Sequence, residues 1–146
     1  MEGLYPPIVV KERFDATIES VWSAITDRAK MIKWYFEDIP SFQPEVGFET
    51  QFGVKSGERL FTHQWKVLEV TPFQKIKYRW RYKEYQGDAS VSWELTKDGT
   101  HTELKLVCLG IESFPQDIPE FTRESCTGGW QFFIQERLKM YLENAD

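Results

Sequence analysis

The side chains of this 146-residue chain that could do chemistry are few and dispersed. Its two histidines, His63 and His101, lie far apart, and neither has the nearby Cys, His or Asp residues that zinc-ligand spacing requires. The sequence contains no G-x-S-x-G nucleophile motif and no G-x-x-x-x-G-K-S/T or G-x-G-x-x-G phosphate loop. We therefore expect no metal site, no cofactor and no recognisable catalytic residue.

Two cysteines, Cys108 and Cys126, and two acidic residues, Glu69 and Glu94, are the remaining candidates. The cysteines could approach each other if a strand and a helix pack together, but no neighbouring base is evident. Inert buried thiols are therefore the favoured interpretation. A desolvated carboxylate could act as a general acid or base. The alternation of residues directs Glu94 toward water and leaves the direction of Glu69 open, so an enzyme is the less favoured class.

Composition and charge narrow the function classes further. The net charge of −5 at pH 7 argues against a general nucleic-acid binder, and the basic strip at residues 75–83 is interpreted as a solvated strand face. The N-terminal sequence M-E-G-L-Y-P-P lacks the features of a secretory signal, and no apolar run approaches the ~20 residues of a membrane span. We expect a cytoplasmic protein with free thiols.

Two sets of side chains alternate along residues 75–82, which predicts a half-buried β-strand. One set is apolar and largely aromatic: Ile76, Tyr78, Trp80 and Tyr82. The other set is basic: Lys75, Lys77, Arg79 and Arg81. The aromatic face of this strand requires a covering element, and that element determines the fold.

Comparable patterns predict the other elements. Residues 8–14 are expected to form a first strand, followed by a helix over about 18–25 capped by Asp15 or Thr17 and a second short helix after Asp27. Further strands are expected at about 48–52, 60–70, 74–85, 89–96 and 103–108. Their turns are assigned to Gly53 with Ser56-Gly57, Thr71-Pro72, Gly87-Asp88 and Lys97-Asp98-Gly99.

From about Glu120 the apolar pattern becomes helical over ~20 or more residues. Its broad apolar face comprises Cys126, Trp130, Phe133, Ile134, Leu138, Tyr141 and Leu142. A helix of this length, some 30 Å, is the only predicted element large enough to cover the sheet. The two glycines inside it, Gly128 and Gly129, each cost roughly 1 kcal/mol relative to alanine. Close packing or a local kink is the favoured explanation, and a gap for a ligand is the alternative.

The elements follow the order β, α, α, a run of β, and one long α. This order predicts an α+β fold in which a curved antiparallel sheet wraps around the C-terminal helix, with two short helices after the first strand. The length, together with the lack of a linker or an internal repeat, predicts one domain over residues 1–146.

With these residues in this order, the chain resembles the activators of the heat-shock-protein-90 ATPase, in the C-terminal-domain-like branch of that family and within the START-like (SRPBCC) helix-grip superfamily. The resemblance covers about residues 8–142. It is carried by Val21-Trp22 through Thr26-Asp27, Lys33-Trp34-Tyr35, Gly47-Phe48, Val67-x-Glu69-Val70-x-Pro72, Ile76-x-Tyr78-x-Trp80, Thr102-x-Leu104-x-Leu106 and Gly129-Trp130. Two positions depart from the family pattern: Trp65 stands where relatives often have a glycine, and Cys108 where many have a histidine.

The resemblance implies a START-like domain with a cavity between the sheet and the C-terminal helix that binds a small hydrophobic or aromatic ligand. The expected lining residues are Tyr78, Trp80, Val91, Trp93, Leu104, Leu106, Cys108, Cys126, Trp130 and Phe133. The alternative is that they pack as a solid core, as protein interiors usually do. The polar tips of Tyr78 and Trp80 favour a cavity, because a buried hydroxyl or indole needs a hydrogen-bond partner that a ligand or water would supply.

Two other functions stay open. The resemblance implies a co-chaperone that activates the chaperone ATPase in a stress response, although such activators normally carry a separate N-terminal domain for which we expect no room in this chain. The superfamily also includes cyclase- and hydrolase-like enzymes, and a fold alone does not decide between these activities. An exposed strand edge would allow a homodimer.

Overall fold

The computed structural model describes residues 6–144 of the chain. The strands found there are β1 (Ile8–Phe14), β2 (Glu49–Ser56), β3 (Arg59–Thr71), β4 (Lys75–Tyr82), β5 (Tyr85–Asp98) and β6 (His101–Leu109). Two short helices, α1 (Ile18–Thr26) and α2 (Arg28–Trp34), follow β1 directly. After β6 come two short 3₁₀ helices, at Ile111–Ser113 and Pro119–Phe121. The C-terminal helix consists of α3 (Arg123–Gln131), a π-helical segment (Phe132–Leu138) and α4 (Lys139–Asn144).

The strands form one antiparallel sheet in the order β1-β6-β5-β4-β3-β2. Strands β2 to β6 pair with their neighbours along the chain. Strand β1 pairs with β6, so that Ile8 lies opposite Cys108 and Phe14 opposite Thr102. The predicted α+β fold is confirmed, with two short helices after the first strand and a long C-terminal helix on the sheet.

Short polar side chains begin the two helices that follow β1. The Thr17 hydroxyl accepts a hydrogen bond from the Ser20 amide at 3.1 Å, and the Asp27 carboxylate accepts one from the Ala29 amide at 3.0 Å. Thr17 rather than Asp15 therefore caps the first helix. These bonds satisfy backbone amides that have no partner within the helix, which fixes where the chain changes direction after β1.

Alternation along β4 gives the sheet its two faces. Tyr78 and Trp80 are buried, at 1% and 8% exposure. Arg79 points the other way and donates two hydrogen bonds to the carboxylate of Asp88, at 3.0 and 3.1 Å. The inner face therefore carries the aromatic core, and the outer face carries paired charges in contact with water.

A bulge at Leu68 decides the direction of Glu69. Val67 pairs with Tyr78 and Glu69 pairs with Lys77, so that Leu68 is an extra residue of β3 without a partner on β4. Val67 is buried, whereas the Glu69 carboxylate lies 3.3 Å from Lys75 Nζ and 3.7 Å from Lys77 Nζ on the outer face. Simple alternation would have placed Val67 and Glu69 on the same face.

One predicted turn is right in part and another is wrong. Gly53 lies inside β2, but the chain reverses at residues 57–58, which include the predicted Gly57. The Gly87-Asp88 pair lies inside β5, and the chain reverses instead at residues 83–84. Glu84 holds the second of these turns, because its carboxylate accepts hydrogen bonds from the Thr62 amide at 2.7 Å and from the Thr62 hydroxyl. A side chain that bonds across to a neighbouring strand determines this turn, rather than a glycine.

The C-terminal helix covers only part of the aromatic face. The ring of Trp130 contacts those of Trp80 and Trp93, with centroids 5.4 and 5.7 Å apart. The ring of Tyr78 is covered instead by the segment after α2, where the Phe42 ring lies 5.9 Å away. Two separate parts of the chain therefore close the core over one sheet.

The two glycines of the C-terminal helix are not sites of close packing, so that interpretation is corrected. A Cβ atom built at Gly128 or Gly129 would meet no heavy atom within 4 Å beyond the helix itself. Directly after them, the Phe132 amide is shared between the carbonyls of Gly128 and Gly129, and the helix continues as a π segment to Leu138. The pair therefore borders open space beside a widened helical turn.

We predict that Gly87→Ala destabilises the fold by about 3 kcal/mol. Gly87 has φ of +128°, and an added Cβ would clash with Cδ1 of the Phe114 ring and lie 2.9 Å from the Ser113 carbonyl oxygen. Gly99→Ala is the matched control, since its φ is +63° but nothing lies within 4 Å. It should cost only about 1–2 kcal/mol. Urea unfolding measures both, and equal losses would show that the contact with Phe114 is unimportant.

Candidate functional site

A cavity of about 170 Å³ lies where the C-terminal helix, the 3₁₀ helices and the inner face of the sheet meet. Its walls come from distant parts of the chain and are mainly apolar. They comprise Phe36, His63, Trp80, Tyr82, Ile111, Phe114, Glu120, Phe121, Ser125, Cys126, Gly129, Trp130 and Phe133. Gly129 contributes only backbone atoms to the wall. The side chain of a larger residue at this position would occupy part of the cavity.

Aromatic rings make up most of this wall, and they meet largely edge to face. The Trp80 and Trp130 rings lie 5.4 Å apart at 71°, and the Phe36 and Phe133 rings lie 5.0 Å apart at 62°. Such contacts place the positive edge of one ring against the negative face of another. The rings pack against one another, so the wall is a connected aromatic surface.

The segment 110–122 supplies the wall opposite the sheet. The side-chain amide nitrogen of Gln116 lies within hydrogen-bonding distance of the carbonyls of Ile111, Phe114 and Phe121, at 3.0, 3.0 and 3.1 Å. The rings of Phe114 and Phe121 pack together with centroids 5.1 Å apart. One polar side chain thus holds this irregular segment in a compact shape that presents two rings to the cavity.

His63 is the most deeply enclosed ionisable group of the cavity wall, at 5% exposure. Its ring stacks on Phe52 at 5.0 Å, and its Nδ1 lies 3.0 Å from the Phe61 carbonyl oxygen. Since a carbonyl only accepts, Nδ1 carries the proton. Burial lowers the pKa of His63 to about 4, against the opposing effects of the Phe61 hydrogen bond and the charge of Glu84. At pH 7 the ring is neutral, and the lone pair resides on Nε2.

Glu120 lies at the edge of the cavity and connects segment 110–122 to the β2–β3 turn. Ser56 Oγ donates to its carboxylate at 2.8 Å, and Arg59 Nη1 lies 3.5 Å from the other carboxylate oxygen. The hydrogen bond from Ser56 is the main cause that lowers the pKa of Glu120. The carboxylate is therefore ionised at neutral pH and serves to hold the wall in place.

The two cysteines are free thiols, one of which reaches the cavity. Burial raises the pKa of Cys108 to about 12 and that of Cys126 to about 11. Both thiols are consequently protonated at pH 7, and a protonated thiol is a poor nucleophile and a poor metal ligand. Among residues 6–144, no cluster of three or more Cys, His, Asp or Glu side chains could hold a metal ion.

Of the ten side chains predicted to line a cavity, the structure brings four to this one. These are Trp80, Cys126, Trp130 and Phe133. The other six pack in the adjoining core: Tyr78, Val91, Trp93, Leu104, Leu106 and Cys108. Each of those six is at most 5% exposed. The inner face is therefore solid over β5 and β6 and leaves space only beside β3 and the end of β4.

The polar tip of Tyr78 does not require a ligand, which corrects the inference drawn from it. The Trp93 indole donates to the Tyr78 hydroxyl at 3.1 Å, and the Tyr35 hydroxyl lies 3.1 Å from the same oxygen. Burial raises the pKa of both tyrosines, so each keeps its proton. The three side chains satisfy one another inside the core.

Most of the cavity wall was not among the predicted residues. His63 could have been found, because Phe61, His63, Trp65 and Val67 alternate with polar residues and share the buried face of β3. Phe114 and Phe121 carry no such signal, since the segment that holds them has neither helical nor strand periodicity. Their positions depend on tertiary contacts.

The sequence pattern and the fold are shared with known proteins. A family model described as "Activator of Hsp90 ATPase homolog 1-like protein" matches residues 15–143. The chain belongs to this family. It therefore lies within the START-like superfamily, as the sequence motifs indicated.

Solved structures show the same fold. Protein CV1439 from Chromobacterium violaceum has a TM-score of 0.78 and 22% identity over 94% of this chain and 97% of its own. DynU16, from the dynemicin biosynthetic locus, has a TM-score of 0.76 and 24% identity over 98% of this chain, which spans about half (49%) of DynU16. CalU16 from Micromonospora echinospora has a TM-score of 0.68 and 24% identity, over 93% of this chain and 75% of its own. At such identities the likeness shows the fold alone.

No curated protein sequence matches this family member. Within the part of the chain that the structure describes, no helix is both long and apolar enough to cross a membrane.

The buried histidine gives this family member a testable pH dependence. Because the pKa of His63 is about 4 in the folded state and 6.5 is its ordinary value, the unfolded chain binds a proton first as the pH falls. The stability contributed by neutral His63 is therefore complete above pH 6.5 and is lost between pH 6.5 and 4. The loss amounts to as much as about 3 kcal/mol.

Urea unfolding at pH 7 and pH 4.5 measures this loss, with His63→Phe as the comparison. Phenylalanine retains an aromatic ring against Phe52 but has no proton to bind. The wild-type protein should lose more stability than the variant over this interval. Parallel losses in the two proteins would contradict the assignment of a buried, neutral histidine.

Proposed function

We propose that this protein binds a small, mainly apolar molecule with one aromatic ring in the cavity between the sheet and the C-terminal helix. The observation that carries the proposal is the space of about 170 Å³ bordered by seven aromatic side chains. The space opens toward solvent, so its aromatic walls present apolar surface that a bound molecule would cover. A ligand that fills it would gain contacts with these walls.

The dimensions of the cavity limit the class of ligand. An apolar protein cavity of about 150 Å³ stays dry and accommodates benzene. A volume of about 170 Å³ therefore suits one ring with a short substituent, rather than a lipid chain or a fused polycycle. The aromatic walls favour a ring, which can make edge-to-face contacts with Trp80, Trp130 and Phe133. The position of DynU16 in a biosynthetic locus is in keeping with a small-molecule ligand.

An enzyme of the cyclase or hydrolase kind stays an untested alternative. His63 meets one requirement for it, since it is an ionisable group at the cavity. A general base works best with a pKa near the working pH, however, and burial holds the pKa of His63 near 4. The high pKa values of Cys108 and Cys126 likewise argue against a thiolate nucleophile. Binding is therefore the function that we favour.

Chaperone ATPase activation also stays a prediction, which rests on the family description alone. Mixing the protein with the chaperone and measuring ATP turnover tests it directly. We expect no change in turnover for a protein whose role is to bind a small molecule in the cytoplasm.

Ligand binding is tested with single-ring arenes at pH 7. Calorimetry and thermal shift should show saturable binding by the wild-type protein, because occupation of the folded state raises its melting temperature. Gly129→Leu should abolish binding, since its side chain would extend into the open space that borders Gly129. The same variant should retain or gain stability, as leucine favours a helix by nearly 1 kcal/mol relative to glycine.

Gly128→Leu is the matched control. Gly128 has the same free space around its Cβ position and the same helical environment but does not border the cavity. It should gain helix stability and bind arenes like the wild-type protein. Binding that survives Gly129→Leu, or that is absent from the wild-type protein for every arene tried, would contradict the proposed function.

A further inference from the structure

We propose that the cavity selects aromatic molecules that carry a hydroxyl or amine hydrogen, which donates to Nε2 of His63, over molecules of the same shape without such a donor. The inference rests on the proposed function and adds the chemical class of the ligand to it. A phenol or an aniline represents the favoured class, and toluene represents the disfavoured one.

The orientation of His63 is fixed on every side. Nδ1 donates to the Phe61 carbonyl oxygen at 3.0 Å, which leaves Nε2 at the far edge of the ring. Phe52 lies parallel to the imidazole at 5.0 Å and an interplanar angle of 8°, and the Phe36 and Trp80 rings approach it at 4.9 and 5.3 Å. A half-turn of the imidazole would keep the stack on Phe52 but would place a carbon atom, Cδ2, at the Phe61 carbonyl, so the Nδ1 hydrogen bond selects the observed orientation.

Nε2 of His63 has no hydrogen-bond partner among residues 6–144. The fully enclosed side-chain atoms without partners in that part of the chain are Thr50 Oγ1, Trp65 Nε1 and Glu120 Oε1, and Nε2 is not one of them. It therefore retains contact with open space, and His63 lines the cavity. A neutral imidazole nitrogen with a lone pair is a strong acceptor, and an acceptor in an aromatic enclosure is best satisfied by a donor on the occupant.

The other polar groups of the wall are less suited to set this preference. The Cys126 thiol is directed to the Glu120 carbonyl oxygen at 3.7 Å. The Glu120 carboxylate accepts from Ser56 and lies beside Arg59, at the edge of the cavity. Its oxygen that faces Arg59 accepts no hydrogen bond, and this second acceptor would also favour a donor. The wall therefore offers a ligand donor a well-placed acceptor, Nε2 of His63, and offers a ligand acceptor no donor that is equally well placed.

Phenol and toluene are nearly equal in shape, so their affinities at pH 7 separate the hydrogen bond from the apolar contacts. Calorimetry on the full chain should give phenol a roughly tenfold lower Kd than toluene. His63→Phe should remove this preference by weakening phenol about tenfold while toluene stays within about twofold. His101→Phe is the matched control, because it makes the same substitution at a histidine outside the cavity and should leave the preference intact.

A second measurement does not depend on any variant. With nitrogen-15-labelled histidine, the Nε2 resonance of His63 should shift on addition of phenol and stay in place on addition of toluene. The His101 resonances serve as the reference within the same spectrum, since His101 lies outside the cavity.

The outcomes distinguish this inference from the function on which it rests. Equal binding of phenol and toluene, or a His63 resonance indifferent to phenol, would overturn the donor preference and leave arene binding in place. Failure of both compounds to bind would overturn the proposed function itself. A phenol preference that persists in His63→Phe would assign the acceptor to another group and refute the role of His63.

Discussion

The constraint on which this structure depends is the cover of a wide aromatic surface by a narrow helix. Six strands about 4.8 Å apart span roughly 24 Å, whereas a helix with its side chains is only about 10–12 Å across. Trp130 covers Trp80 and Trp93, and the segment after α2 covers Tyr78. Segment 110–122 covers the end of β4, where Phe114 and Phe121 contact Tyr82. The cavity lies at the junction of these covers, where their surfaces do not meet.

Polar groups behave differently in the solid part of the core and at the cavity. Trp93, Tyr78 and Tyr35 satisfy one another through two contacts of 3.1 Å, so nothing from outside is needed there. His63 uses Nδ1 for the Phe61 carbonyl and retains an unused acceptor on its other nitrogen. Both sets are buried among rings, and burial perturbs the pKa of each. The difference lies in hydrogen-bond completeness, and the proposed preference for a donor on the ligand depends on it.

Periodicity predicted the parts of this fold that repeat, and tertiary contacts decided the rest. Alternation along β4 and the apolar face of the C-terminal helix were sufficient to predict the sheet and the helix that covers part of it. The bulge at Leu68 and the turn held by Glu84 and Thr62 were missed, because each depends on a contact between two strands. The cavity wall was predicted only where regular elements supply it. Rings on segment 110–122 follow no period and were not predictable from spacing.

The C-terminal helix has to meet two opposing demands. It must present large side chains to cover the sheet, as Trp130 does. At the preceding position, residue 129, it must leave the cavity unfilled. A glycine meets the second demand at a cost of about 1 kcal/mol in helix stability. No neighbouring atom lies within 4 Å of a Cβ position at Gly129, so packing does not require the absence of a side chain there. A larger residue would gain helix stability there, and binding of the proposed ligand is the function that its side chain would obstruct.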